Sequence, residues 1–101
     1  MSRLEAVVLN DRDNVATAVA NLEKGAKVEL KIGERTFTTE LKSSISLGHK
    51  FSLRHINKGS PIIKYGEIMG TATKTIEPGE HIHIHNVVSA RGRGDLSKEG
   101  I

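Results

Sequence analysis

Residues 81–86 read His-Ile-His-Ile-His-Asn. Imidazoles at this spacing can coordinate a metal, shuttle protons or bind an anion. Polar/apolar alternation over this length predicts a β-strand, whose successive side chains point to opposite faces. Ile82 and Ile84 would then face a core, and His81, His83 and His85 would share the other side, where three imidazoles serve no packing purpose. The strand also limits them. At about 3.3 Å per residue, His81 and His85 lie about 13 Å apart, too far to share one ion, whereas neighbours about 6.6 Å apart can reach one ion or one substrate oxygen. His83 and His85 are the expected working pair, because His81 directly follows the Pro78-Gly79 turn. Asn86 is expected to end the strand rather than join the site.

A second set of reactive side chains comes from the charge distribution. Residues 1–40 hold six Lys/Arg against seven Asp/Glu, and residues 67–101 hold four against five. The excess therefore lies in residues 41–66, where Lys42, Lys50, Arg54, Lys58 and Lys64 meet no carboxylate and are joined by His49 and His55. Such a local field suits an anionic ligand or an acidic partner surface, although ordinary solvated lysines would look the same. The aromatic set is only Phe37, Phe51 and Tyr65. That argues against binding of single-stranded nucleic acid, which stacks bases on aromatic rings.

The elements that must position these groups fit one small domain of 101 residues. With no cysteine there is neither a disulfide nor a thiolate metal site. No apolar run approaches the roughly 20 residues of a membrane span, and the start does not read as a signal peptide, so a soluble cytoplasmic protein is expected. Three segments share one template: Leu22-Glu-Lys-Gly25-Ala-Lys-Val28, Ile56-Asn-Lys-Gly59-Ser-Pro-Ile62 and Ile76-Glu-Pro-Gly79-Glu-His-Ile82. Each places a glycine, free to take φ > 0, in a tight reversal between two apolar anchors. Pro78-Gly79 has the preferences of a type II turn. Val15, Val19 and Leu22 at i, i+4 and i+7 predict one short helix, with Asp11 or Asp13 capping its start and Gly25 just past its end. Strands are predicted near Leu4–Leu9, Lys27–Ile32, Arg35–Leu41, Lys50–Ile56, Ile62–Lys64, Glu67–Ile76 and Glu80–Asn86. Residues 89–101 contain too little apolar surface to order themselves and read as a flexible tail. The Arg93-Gly94-Asp95 tripeptide within it is treated as chance.

Several of these pieces together resemble a known domain. Gly48-His49-Lys50, Lys64-Tyr65-Gly66-Glu67, Gly70-Thr71-Ala72-Thr73, Pro78-Gly79-Glu80-His81 and His83-Ile84-His85-Asn86 resemble a SAF-type β-clip domain. More narrowly they resemble the small N-terminal module of the altronate/galactarate dehydratase family. Asp13-Asn14-Val15-Ala16-Thr17-Ala18 is similar to that family's opening helix. The resemblance implies a mainly β, compact β-clip (SAF-like) domain over residues 1–88 with one short N-terminal helix, followed by the tail. Some members fuse this module to a large catalytic domain and others keep it as a separate small subunit. A chain ending soon after Arg91-Gly92-Arg93-Gly94 resembles the second arrangement.

The implied activity is a carbon–oxygen lyase (hydro-lyase) reaction, removal of water from an anionic sugar acid, by a two-subunit complex. Such a step needs a base, an acid and a cation for the carboxylate charge. His83, His85 and, by family position, His49 are the catalytic candidates, with His83 and His85 also the candidate metal ligands. Lys50, Lys64 and Arg54 are the candidate carboxylate binders. Tyr65 either contacts ligand or packs beneath its turn. Related dehydratases depend on a divalent metal, usually iron(II), expected here mainly on the large subunit. A domain this small seldom encloses a ligand pocket, so the expected active site lies against the large subunit and the isolated chain is expected to be inactive. Sulfolactate sulfo-lyase small subunits share the module. The competing reading is a non-catalytic saccharide- or partner-binding β-clip module. A homo-oligomer is compatible with either, and neither nucleic acid nor membrane is an expected partner.

Overall fold

The structure, a computed structural model, describes residues 5–89. They form nine strands and no helix: β1 (Ala6–Val7), β2 (Val15–Ala18), β3 (Lys27–Ile32), β4 (Arg35–Glu40), β5 (Lys50–Ser52), β6 (Pro61–Lys64), β7 (Glu67–Ala72), β8 (His81–Ile82) and β9 (Val87–Ser89). All pairings are antiparallel, in a four-stranded sheet β1-β2-β5-β8, a β3-β4 hairpin and a three-stranded sheet β6-β7-β9. No helix is long and apolar enough to cross a membrane among the described residues.

The turn template recurs four times, once more than the three copies singled out above. The further copy is Ile45-Ser46-Leu47-Gly48-His49-Lys50-Phe51. In chain order, turns 1 to 4 are closed by backbone bonds from Ala26 to Glu23, His49 to Ser46, Ser60 to Asn57 and Glu80 to Glu77, at 2.9–3.1 Å. Their glycines Gly25, Gly48, Gly59 and Gly79 have φ between +87° and +90°, the left-handed geometry a type II turn needs at its third position. The leading apolar residues pair across the molecule. Leu22 and Ile45 exchange two backbone bonds, and so do Ile56 and Ile76. The trailing residues Val28, Phe51, Ile62 and Ile82 are all buried.

Two similar units result, β2–turn 1–β3–β4–turn 2–β5 and β5–turn 3–β6–β7–turn 4–β8, sharing β5. Each has its own core. Leu22, Val28, Leu30, Ile45 and Phe51 lie in one, and Ile56, Ile62, Ile76 and Ile82 in the other. Apolar surface carried by the ends of the turns is removed from water in both, which is what holds so short a set of strands together.

The predicted helix is absent, and its residues form β2. Val15 and Leu22 are buried as the helical stripe required, but Val19 is exposed and Ala16 and Ala18 are buried instead. With β1 on one side and β5 on the other, this stretch satisfies its backbone in a sheet, and the small Ala16 and Ala18 pack into the first core. Tertiary pairing overrides a weak helical periodicity. Asp13 is no helix cap either. It is buried and accepts a bond from the Gly66 amide at 2.8 Å. Ser89, placed in the tail above, belongs to β9, and the rest of that tail lies outside the described residues.

A Cβ on Gly25 would meet nothing, whereas one on Gly79 would run into the carbonyl oxygen of Glu40. Gly25→Ala is expected to cost about 1–2 kcal/mol, the strain of a left-handed L-residue. Gly79→Ala should cost about 3 kcal/mol or more, because backbone collision adds to that strain. Urea unfolding of the two variants measures the difference. Equal losses would mean that turn 4 is not seated against β4.

Candidate functional site

Turns 2 and 4 deliver the site. Gly48 of turn 2 is followed by His49 and Lys50, and Gly79 of turn 4 by Glu80 and His81. β5 and β8 then pair with Lys50 opposite Ile82 and Phe51 opposite His81. Phe51 and Ile82 are buried in different cores, and His49, two residues before Phe51, falls on the same face of this pair as His81. Nδ1 of His49 and Nε2 of His81 lie 3.0 Å apart. The His49 ring stacks on His81 at 5.1 Å and on His83 at 5.5 Å, and His81 stacks on His83 at 5.5 Å.

The strand predicted over Glu80–Asn86 stops at Ile82. Asn86 bends the chain back. Its side chain is buried, accepts from the His83 amide at 3.0 Å and donates to the His81 carbonyl at 2.9 Å. Its own amide and that of Val87 both donate to the His83 carbonyl. Two expectations fail as a result. Ile84 does not face a core but is exposed at the loop tip, 64% accessible. His81 and His85, expected about 13 Å apart in an extended strand, have ring centroids 5.6 Å apart. His81, set aside by the strand argument, touches the other three imidazoles and is the centre of the cluster. Among the described residues, His83 and His85 are not a contacting ring pair.

The lysines come from two elements. Lys50 lies on β5 and is partly buried. Lys64 ends β6, with its Nζ 4.4 Å from the centroid of the Tyr65 ring, a cation–π contact. Tyr65 and Gly66 have φ of 58° and 76°, so both central residues of the β6–β7 hairpin are left-handed, as in a type I′ turn. Tyrosine is strained there. The Asp13–Gly66 bond holds the turn. Asn14 holds β6, accepting from the Ile63 amide at 2.8 Å and donating to the Pro61 carbonyl at 3.0 Å. Tyr65 is half exposed and does not pack beneath its turn.

These groups repel one another. Burial pushes the His81 imidazole below its ordinary pKa, and the neighbouring His49, His83, His85 and Lys50 push it further down. Lys50 is lowered by burial and then by the charge of Lys64. Between His49 and His81 one nitrogen must donate and the other accept, so in this geometry the pair carries at most one positive charge. Neutral imidazole, shared proton and ammonium groups side by side can bind an oxyanion and move a proton. For a divalent metal the donor set does not fit. Among the described residues no three His, Cys, Asp or Glu side chains converge to hold an ion, and no carboxylate contacts any of the four imidazoles.

Two groups of the basic stretch, the candidate Arg54 and the non-candidate His55, stand apart. Arg54 lines a shallow groove with Arg35, Thr36 and Leu53. His55 is exposed and bonded to Asn57 at 2.8 Å and Glu77 at 3.2 Å. The fourth turn copy was the sequence signal that would have joined His49 and Lys50 to His81, since the template puts all three just past a reversal.

Residues 4–90 match the family described as the altronate/galactarate dehydratase SAF domain. The chain is 39% identical to altronate dehydratase of Escherichia coli (strain K12) over 83 residues, 82% of this chain and 16% of that enzyme. It is 38% identical to the (2R)-sulfolactate sulfo-lyase subunit alpha of Chromohalobacter salexigens over 58 residues, 57% of this chain and 62% of that subunit. Against the subunit alpha of Paracoccus pantotrophus it is 36% identical over 55 residues, 54% of this chain and 82% of that one. The chain thus spans about a sixth of the dehydratase it matches.

In an NMR titration His81 is expected to ionise below the ordinary imidazole value of about 6.5, and His55 above it, raised by its bonds to Asn57 and Glu77. His81 binds its proton less readily folded than unfolded, so it withdraws stability as pH falls from about 6.5 through its depressed value. His55 acts the opposite way, its contribution complete below about 6.5 and lost as pH rises through its raised value. A His81 that titrates above His55 would contradict the cluster. Asn86→Ala strands the part-buried His83 amide and His81 carbonyl, at an expected cost of about 2–4 kcal/mol in denaturant unfolding. A loss under about 1 kcal/mol would mean that other contacts hold the 83–86 loop.

Proposed function

The chain belongs to the altronate/galactarate dehydratase SAF-domain family, and from that premise we propose that it is the small subunit of a sugar-acid dehydratase. It contributes one wall of an active site whose other wall is a separate large catalytic polypeptide. The observation that carries this reading is the convergence of His49, His81 and His83 in one stacked cluster, with His85 tilted against His81. They lie beside Lys50, whose charge His81 feels, and Lys50 in turn feels Lys64. His85 and Ile84 on the cluster's loop are exposed to solvent, and elimination from a bound sugar acid needs water excluded. Ile84, between His83 and His85, and Tyr65, next to Lys64, are exposed and available for contact with a partner.

In this reading Lys50 and Lys64 hold the substrate carboxylate. A neutral imidazole removes the proton α to it. The C–H electron pair forms the new double bond while the β C–O bond breaks, and a protonated imidazole gives its proton to the departing hydroxyl, which leaves as water. The resulting enol tautomerises to a 2-keto-3-deoxy acid. His49 and His81, sharing one proton, are suited to pass it between these roles. A divalent metal, iron(II) in the dehydratases this chain resembles, is assigned mainly to the large polypeptide.

A second reading keeps the site and changes the substrate to sulfolactate. It is favoured by the short sulfo-lyase alpha subunits, one of which this chain matches over 82% of that subunit's length.

The purified chain is expected to show no turnover of altronate, galactarate or sulfolactate, and to support it when combined with its large polypeptide. In that complex His49→Gln or His81→Gln should lower kcat about 100-fold or more, in the range of lost acid–base catalysis. Lys50→Met or Lys64→Met should instead raise KM about tenfold. Turnover by the small chain alone, or full activity in both histidine variants, would refute the shared-site assignment. Preference among the three substrates decides between the two readings.

A further inference from the structure

The tip of the β3–β4 hairpin meets the chain just past β5 in a shallow groove lined by Arg35, Thr36, Leu53 and Arg54. It is lined by none of the clustered histidines, and among the described residues none of its four side chains shares a hydrogen bond or ring contact with His49, His81, His83 or His85. Leu53 is buried and forms an apolar floor, while both arginines are exposed. Among the described residues neither guanidinium has a carboxylate partner, the ion pair there being that of His55 with Glu77.

Arginine stays charged at any physiological pH and has donors only. Two such groups on one groove, with the Thr36 hydroxyl between them in sequence order, offer a lining almost entirely of donors. An oxyanion matches the guanidinium fork with paired oxygens. No side chain of the lining can act as a general base or acid near neutral pH, so the groove can bind but has nothing with which to do acid–base chemistry.

We propose that the Arg35–Arg54 groove is a second anion-binding site, separate from the histidine cluster, for a small tetrahedral oxyanion such as a phosphate group. Arg54 then serves this groove and not the carboxylate of a substrate at the cluster. The proposal does not depend on which reaction the cluster supports.

The test is an NMR titration of the full chain with inorganic phosphate, against sodium chloride at matched ionic strength. Phosphate is expected to shift the amides of Arg35, Thr36, Leu53 and Arg54 in a saturable way, with chloride producing no such shift. Arg35→Gln and Arg54→Gln, both at exposed positions, should each weaken this binding about tenfold, while His81→Gln leaves it unchanged. Shifts confined to the histidine cluster, equal shifts with chloride, or unaltered phosphate affinity in both arginine variants would overturn the proposal.

Discussion

A left-handed glycine in a four-residue reversal lets a chain turn within the width of two strands, and this domain is built from that reversal used four times. With no helix, and with several strands of two or three residues, strand pairing alone could not hold it. The turns supply what the strands lack. Each turn has an apolar residue three positions before its glycine and another three after. The first set pairs as Leu22 with Ile45 and Ile56 with Ile76, and the second set fills the cores. Backbone geometry at one residue per turn therefore decides where the apolar side chains go, and their burial in turn holds the backbone.

The site inherits its geometry from the same device. Polar residues placed just after a turn glycine leave the reversal in fixed directions, and the β5–β8 pairing brings two such sets together. The imidazoles and lysines are held by elements whose stability comes from elsewhere, from Phe51 and Ile82 inside and from Asn86 closing the loop. This rigidity allows like-charged groups to be crowded. Burial and neighbouring cations depress His81 and Lys50, a cost that the two cores and the loop bonds outweigh. Groups held in that state are ready for an anion, because binding one removes the repulsion.

Strain follows the same division of labour. Tyr65 occupies a left-handed position that asparagine or glycine would fill more comfortably. Asp13 and Asn14, buried or half-buried on the far side of the hairpin, hold the turn and its strand through backbone bonds to Gly66, Ile63 and Pro61. The Asp-Asn pair that looked like the start of a helix is the anchor of the loop that presents Lys64 and Tyr65.

Much was legible in the sequence alone. The period-two pattern and the Gly-centred template identified β3, β4, β6 and β7 and their turns, because those signals are local: alternation and φ > 0 depend on a few adjacent residues. The excess of positive charge in residues 41–66 was an equally local reading. Non-local pairing was not legible. Val15–Ala18 became a strand because β1 and β5 flank it, and no window of the sequence contains all three. His81 became the centre of the cluster because the buried carboxamide of Asn86 ended a strand that alternation extended to residue 86, and because turn 2 brought His49 beside it from 32 positions away. Arg54, grouped with the lysines by charge, was carried to a different groove by the course of the chain past β5. Residue type determined what chemistry each side chain could perform. Which of them meet was decided only by tertiary pairing, since contact between distant residues depends on the closing of intervening loops, and a sequence pattern of period two or three carries no record of it.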